Sequence, residues 1–310
     1  MNFSSIIAVL CKLFFLLVLG YGLHKKKILD THMNGGISSL IVMVTNPALI
    51  LSSLGAAGDS AKSDVLMLIG FGVGFYILLP IFAAIMVRLF RVQKDKRGTL
   101  QLLLIFSNTG FMAIPVVQTL YGDIAVFYCS ILNMPFNFLI YSYGIYLLLR
   151  DQHGEGEKLN AKKFLNPGII ASAIALILYF SGLTMPTVVS ETFGFIGNVT
   201  PPLSMLLLGS VLAEYPLSSM VKDLKVNGMM LVKLLVLPLM AFLISSLLFT
   251  DSAIIGITTL TFAMPCAAMC VMLCKQYGGD SEAASGAVVF STILSLLTIP
   301  VVFGLLLWLN

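Results

Sequence analysis

Within residues 101–121 an otherwise apolar run is interrupted by Ser107-Asn108-Thr109-Gly110-Phe111-Met112-Ala113-Ile114-Pro115. Pro115 lacks an amide donor and clashes with the carbonyl one turn back, and Ser107, Asn108 and Thr109 offer the backbone competing hydrogen bonds. A helix is therefore expected to break here. A second interruption, Thr261-Phe262-Ala263-Met264-Pro265, lies in another apolar run. Half-helices beginning near Pro115 and Pro265 would turn their amino ends toward a common centre, each carrying about half a positive charge. An anion is the expected guest. Asn108 and Thr109, with Asn46 of Asn46-Pro47 opposite them, supply uncharged donors and acceptors suited to a carboxylate. Carbonyls at the opposing half-helix ends, near Asn108 and Thr261, could hold a cation, so sodium stays open as a second guest. Ser107, Gly110, Met264 and Asn137 complete the candidate substrate-binding set. Asn133 and Asn137, four apart, also read as glue between helices.

The elements that must position these residues are membrane helices. The chain has 310 residues, is 58% hydrophobic and only 10% charged, and has a mean hydropathy of +1.00, which excludes a soluble domain. Ten apolar segments are long enough, or nearly so, to cross a hydrocarbon core of about 30 Å. Their limits are 4–23, 36–54, 65–89, 101–121, 126–149, 167–181, 189–213, 229–248, 252–277 and 285–309. The first reads as a retained span and not a signal peptide: no basic residue precedes it, Lys12 interrupts it and Lys25-Lys26-Lys27 follows it.

Basic residues cluster in alternate loops, around Lys25, Arg91 to Arg97, Arg150 to Lys163, Lys222 and Lys275, whereas the opposite loops carry only Lys62. The positive-inside rule makes the first group cytoplasmic and leaves both termini outside, in the cytoplasmic (inner) membrane. The net charge of +4 thus reports orientation, not a nucleic-acid partner. Lys233 is expected to snorkel toward the cytoplasmic end of its span; Lys12 either snorkels outward or faces an aqueous path. The five cysteines fall in apolar segments and read as small buried hydrophobes, with Cys266, Cys270 and Cys274 on one helical face. No metal site, cofactor or catalytic constellation is expected, so an enzyme is not. Asp123 and Asp280 follow helix-ending glycines and read as caps for the next helix, with proton coupling as the other reading.

The chain divides into two similar halves, residues 1–149 and 167–310, joined by a polar cytoplasmic linker at 150–166. Asn46-Pro47 answers Thr200-Pro201-Pro202, Pro115 answers Pro265, and Tyr121-Gly122-Asp123 answers Tyr277-Gly278-Gly279-Asp280, all at nearly constant separation. Five spans per half is an odd number, so the second half must enter the membrane inverted. Interrupted helices at matching places in an inverted repeat point to the midplane site of a secondary transporter.

The stretch from Ser107-Asn108-Thr109-Gly110-Phe111 to Pro115 carries a family likeness. So do Met264-Pro265, the run Tyr277-Gly278-Gly279-Asp280 to Ala284-Ser285, Ser291-Thr292-Ile293-Leu294-Ser295 and Thr298-Ile299-Pro300. Together the chain resembles the auxin efflux carrier family of membrane permeases, in its short prokaryotic form without a long central loop. The resemblance implies an all-α polytopic fold of ten transmembrane helices, as two inverted five-helix repeats with helices 4 and 9 broken and crossing. It also implies movement of small organic anions such as mono- or dicarboxylates, a homodimer, elevator-like alternating access and a role for Asn108 in the site. The second half departs from symmetry, because Thr261 to Met264 offers no asparagine. A sodium-coupled symporter of the bile-acid-transporter type, or a membrane sensor using the same anion site, stands as the alternative.

Overall fold

The computed structural model describes residues 3–57, 61–151, 167–215 and 223–309. Among these the backbone is helical throughout, apart from turns and one isolated antiparallel bridge. In chain order the helices are α1 (Phe3–Lys25), α2 (Thr31–Ala56), α3 (Lys62–Leu89), α4 (Arg97–Ile105), α5 (Ile114–Tyr121), α6 (Asp123–Arg150), α7 (Pro167–Ser181), α8 (Thr187–Ala213), α9 (Leu224–Leu248), α10 (Ser252–Phe262), α11 (Met269–Tyr277) and α12 (Ser281–Leu309). Six of them, α2, α3, α6, α8, α9 and α12, are long and apolar enough to cross a membrane, and α7 and α10 are shorter apolar helices. With apolar side chains such as Ile77, Ile85, Leu243, Leu247, Leu297 and Val301 facing outward, this is a polytopic membrane protein.

Local chemistry sets the helix ends. Asp30, Asp223 and Asp251 accept hydrogen bonds from the first free amides of α2, α9 and α10. Asp280 does the same for α12, accepting from Ala283 N at 2.9 Å. Asp123 does not cap: it is the first helical residue of α6, and its carboxylate takes a bond from Gln118 Nε2. The chain reverses at Gly122 (φ 77°) and Gly278 (φ 76°), where a side chain would be strained.

The helices pack as two sets. In the first, α1 crosses α8 so closely that a Cβ on Gly20 would overlap the Leu206 carbonyl and one on Gly209 the Leu17 carbonyl; α2 and α7 complete this set, with Gly197 of α8 pressed against the Leu49 backbone. In the second, α3, α6, α9 and α12 pack around two interrupted elements, α4 with α5 and α10 with α11. Phe71, Phe75 and Tyr76 of α3 gather around Phe262 at the end of α10, the Phe75 and Phe262 rings 4.2 Å apart.

Three expectations need correcting. Cys11 is exposed, while the other four cysteines are buried. Cys266 shares no helical face with Cys270 and Cys274, because α11 begins only at Met269. Lys233 does not snorkel: it is fully buried in the second set. Lys12 is exposed. The linker expected at 150–166 lies, from residue 152, outside the described residues.

Candidate substrate site

Helix α4 ends at Ile105; Phe106 turns extended, and Asn108 opens a wide π-helical turn, Thr109–Ala113, that leads into α5 with Pro115 in its first turn. The second element breaks between Phe262 and Met269. The freed backbone groups satisfy one another: Asn108 N donates to Pro265 O at 2.7 Å and Ala267 N to Phe106 O at 3.0 Å, pairing Ser107 with Cys266 as a short antiparallel bridge. Ser291 Oγ of α12 accepts from Cys266 N at 3.1 Å and anchors the crossing.

The two prolines therefore play different parts. Pro115 lies in the first turn of α5, directly after the wide π-helical turn that runs on into it, but Pro265 lies in the non-helical link, one residue before the bridge, and α11 starts four residues later.

Beside the crossing lies a cavity of about 100 Å³. Asn108, Thr109, Gly110 and Phe111 form one wall, Ala267, Ala268 and Met269 at the start of α11 another, and Asn46 of α2 faces them. Asn133, Asn137 and Tyr141 of α6 and Ser172 of α7 close it. Among the described residues no charged side chain lines it. Asn108 uses its oxygen to cap the turn, accepting from Phe111 N at 3.3 Å, which leaves its Nδ2 buried with no partner among the described residues. Asn46 Oδ1 is likewise buried and unpartnered. Thr109 Oγ1 donates to Asn133 Oδ1 at 2.6 Å, Asn137 Nδ2 to Asn133 O at 3.0 Å, and Tyr141 Oη to Met269 Sδ at 3.4 Å. Unsatisfied buried amides are costly, about 1–3 kcal/mol each, and two of them border this one small cavity.

Of the residues expected from sequence, Asn46, Asn108, Thr109, Gly110 and Asn137 meet here. Ser107, Pro115, Met264 and Pro265 are buried around the crossing without lining the cavity. Thr261 is still inside α10 and bonds back to Ile257 O at 2.7 Å, so it presents nothing to the site. Asn133, Tyr141 and Ser172 line the cavity although the sequence singled out none of them for it. For Asn133 the signal was present: it lies one turn before Asn137 on the same face.

A polytopic bundle in which two broken helices cross beside a small uncharged polar cavity has the architecture of a membrane transporter. Residues 5–303 match the family described as "Membrane transport protein", and the chain belongs to that family, the auxin efflux carrier family. It is similar to an uncharacterized transporter of Methanothermobacter thermautotrophicus, 28% identical over 291 residues that cover 92% of this chain and 93% of the relative. A second uncharacterized transporter, from Methanocaldococcus jannaschii, is 22% identical over 276 residues, covering 85% of this chain and 86% of the relative.

Proposed function

We propose that the protein is a secondary transporter of small organic anions, mono- or dicarboxylates, and that the cavity at the crossing is its substrate site. One observation carries this: Asn108 Nδ2 and Asn46 Oδ1 are buried and unpartnered on the same uncharged cavity, between the amino-terminal turns that lead into α5 and α11. Asn108 Nδ2 can donate to a carboxylate oxygen; Asn46 Oδ1 can accept from a hydroxyl or protonated carboxyl of the same acid. The helix starts add free backbone amides and positive dipole ends. In this reading α4 with α5, and α10 with α11, are two broken spans of ten, arranged as two inverted five-helix repeats, 1–149 and 167–310. The matched positive-φ turns at Gly122 and Gly278 and the paired breaks support that symmetry.

The site lies where α2 and α7 of one helix set face the crossing in the other, a placement suited to elevator-like alternating access. The dimer implied by the family, insertion in the cytoplasmic membrane and termini facing outward belong to the same proposal. Purified protein in liposomes, challenged with labelled mono- and dicarboxylates, with amino acids and sugars as controls, tests it. Saturable uptake of carboxylates is expected; uptake of cationic or neutral solutes with carboxylates ignored would overturn it.

A further inference from the structure

A fully buried lysine is rare because stripping water from an ammonium costs several kcal/mol, and it persists only where other groups replace that water. Lys233, on α9, has no accessible surface at all. Its Nζ donates to Leu103 O at 2.7 Å, to Phe106 O at 3.3 Å and to Cys266 Sγ at 3.7 Å. An ammonium has three protons, and these three acceptors use them all. None is a carboxylate. Two are carbonyls of the last turn of α4 and the residue after it, the negative end of a half-helix dipole, and the third belongs to the bridge residue of the other broken element.

That is the position where a broken-helix transporter would present unwound carbonyls to a coupling metal ion. We propose that Lys233 is a tethered cation that fills this position permanently, so that the crossing is held together and the neighbouring cavity kept favourable to an anion without any bound metal ion. The corresponding position in the first half supports a specific role: Phe75 of α3 lies five residues before Pro80, as Lys233 of α9 lies five before Pro238, and Phe75 meets the end of α10 with an apolar ring tilted against that of Phe262. The charge is thus placed on one carbonyl end and not the other. Cys266 Sγ adds a contact to Leu103 O at 3.3 Å, so the ammonium and the thiol share that carbonyl.

A vacancy left by removing the tether should bind a small free cation. The stabilisation expected from a ligand that binds only the folded state grows with its concentration, and about 1 kcal/mol corresponds to a melting shift of roughly 2–4 °C for a protein somewhat smaller than this one. Detergent-solubilised Lys233→Ala protein is melted in choline chloride, sodium chloride and methylammonium chloride at equal ionic strength. The variant should melt below wild type in choline and recover at least 2 °C in methylammonium or sodium, while wild type melts alike in all three salts. An identical melting temperature for the variant in all three salts would overturn the proposal.

Because alanine could prevent folding, Lys233→Gln supplies the second arm: its amide can still donate to the carbonyls but carries no charge. The part of the proposal that concerns the anion rests on the transport reading above, and here the expected result is a glutamine variant that melts near wild type yet shows a KM for the carboxylate raised roughly tenfold, the effect of losing about 1.4 kcal/mol of favourable charge. A glutamine variant with unchanged KM would show that Lys233 is only a structural donor. Wild type that transports no carboxylate would defeat the function proposed above, while the melting comparison would still decide the tethered cation.

Discussion

At the scale of single residues, the site turns on an asymmetry inside one amide. Asn108 spends its oxygen on the turn that breaks α4 from α5 and keeps its nitrogen for the cavity. Replacement by leucine keeps approximate volume and removes both functions. If the nitrogen meets substrate, Asn108→Leu should weaken carboxylate affinity by roughly tenfold to a hundredfold, as expected for about 1–3 kcal/mol of lost pairing. Affinity and melting temperature measured on one preparation separate the roles: unchanged affinity with a lowered melt would make Asn108 a helix cap and nothing more. The residue types were legible in the sequence; their division of labour was not. Polar residues in a helix break announce a site, but whether each bonds inward to backbone, as Thr261 does to Ile257, or outward to a cavity depends on where the helix ends. Lys233 was misread for a related reason. Hydropathy places a lysine by its distance to the nearest water, and nothing local in the sequence tells that carbonyls of α4, far away in the chain, will replace that water.

At the scale of elements, two features carry measurable consequences. The α1–α8 crossing depends on Gly209, where a methyl would overlap the Leu17 carbonyl, an atom held by its own helix. Gly209→Ala should cost about 1–3 kcal/mol through overpacking and lower the melting temperature, whereas alanine at Gly74, which faces open space, should not lower it. The second feature is the α11–α12 turn. Asp280 caps α12 and pairs with Lys96 at 3.0 Å. Burial raises its carboxyl pKa, but the Ala283 amide and Lys96 outweigh burial and hold it below the ordinary value. A depressed carboxyl stabilises the fold above its unfolded pKa, and that contribution is lost as pH falls through the folded pKa. Lys96 is held above its ordinary value, chiefly by its hydrogen bond to Asp280, so its share is lost only as pH rises through that raised pKa.

The ion pair is partly exposed and worth little, so the cap should dominate. Asp280→Ala should cost about 0.5–2 kcal/mol, and Asp280→Asn, which can still cap, distinctly less while flattening the acid side of a melting-versus-pH curve. Equal melts for the two variants would contradict this assignment. The glycine and aspartate at this turn were readable from Gly278-Gly279-Asp280 alone, because a left-handed residue followed by a capping side chain is a local requirement. The same pattern misled at Gly122-Asp123, where Asp123 enters the helix and bonds Gln118 instead.

For the whole molecule, the sequence showed where helices must break, since Pro115 and the Ser107-Asn108-Thr109 triplet act locally. How the breaks meet was not legible: the Ser107–Cys266 bridge joins residues that no pattern in the chain pairs, and the prolines taken as equivalents occupy different places around it. The charge pattern carries the remaining expectation, orientation. On a Cys11→Ser background, which removes the exposed native thiol, a cysteine at Ala61 should react with an impermeant reagent added to intact cells, and one at Lys94 should react only after permeabilisation. Equal reaction of both from outside would contradict the proposed topology.

The central claim is that this cavity takes a small organic anion through alternate exposure to the two sides, and counterflow in proteoliposomes tests it most directly. Vesicles preloaded with an unlabelled carboxylate are diluted into a trace of the same labelled acid, with no imposed ion gradient. The account predicts transient accumulation of label that depends on the internal carboxylate, saturates with external concentration and falls sharply in Asn108→Leu protein of unaltered melting temperature. Label uptake that is unsaturable and indifferent to internal carboxylate, as through a channel, or no uptake by folded protein that binds the acid, as in a sensor, would contradict it.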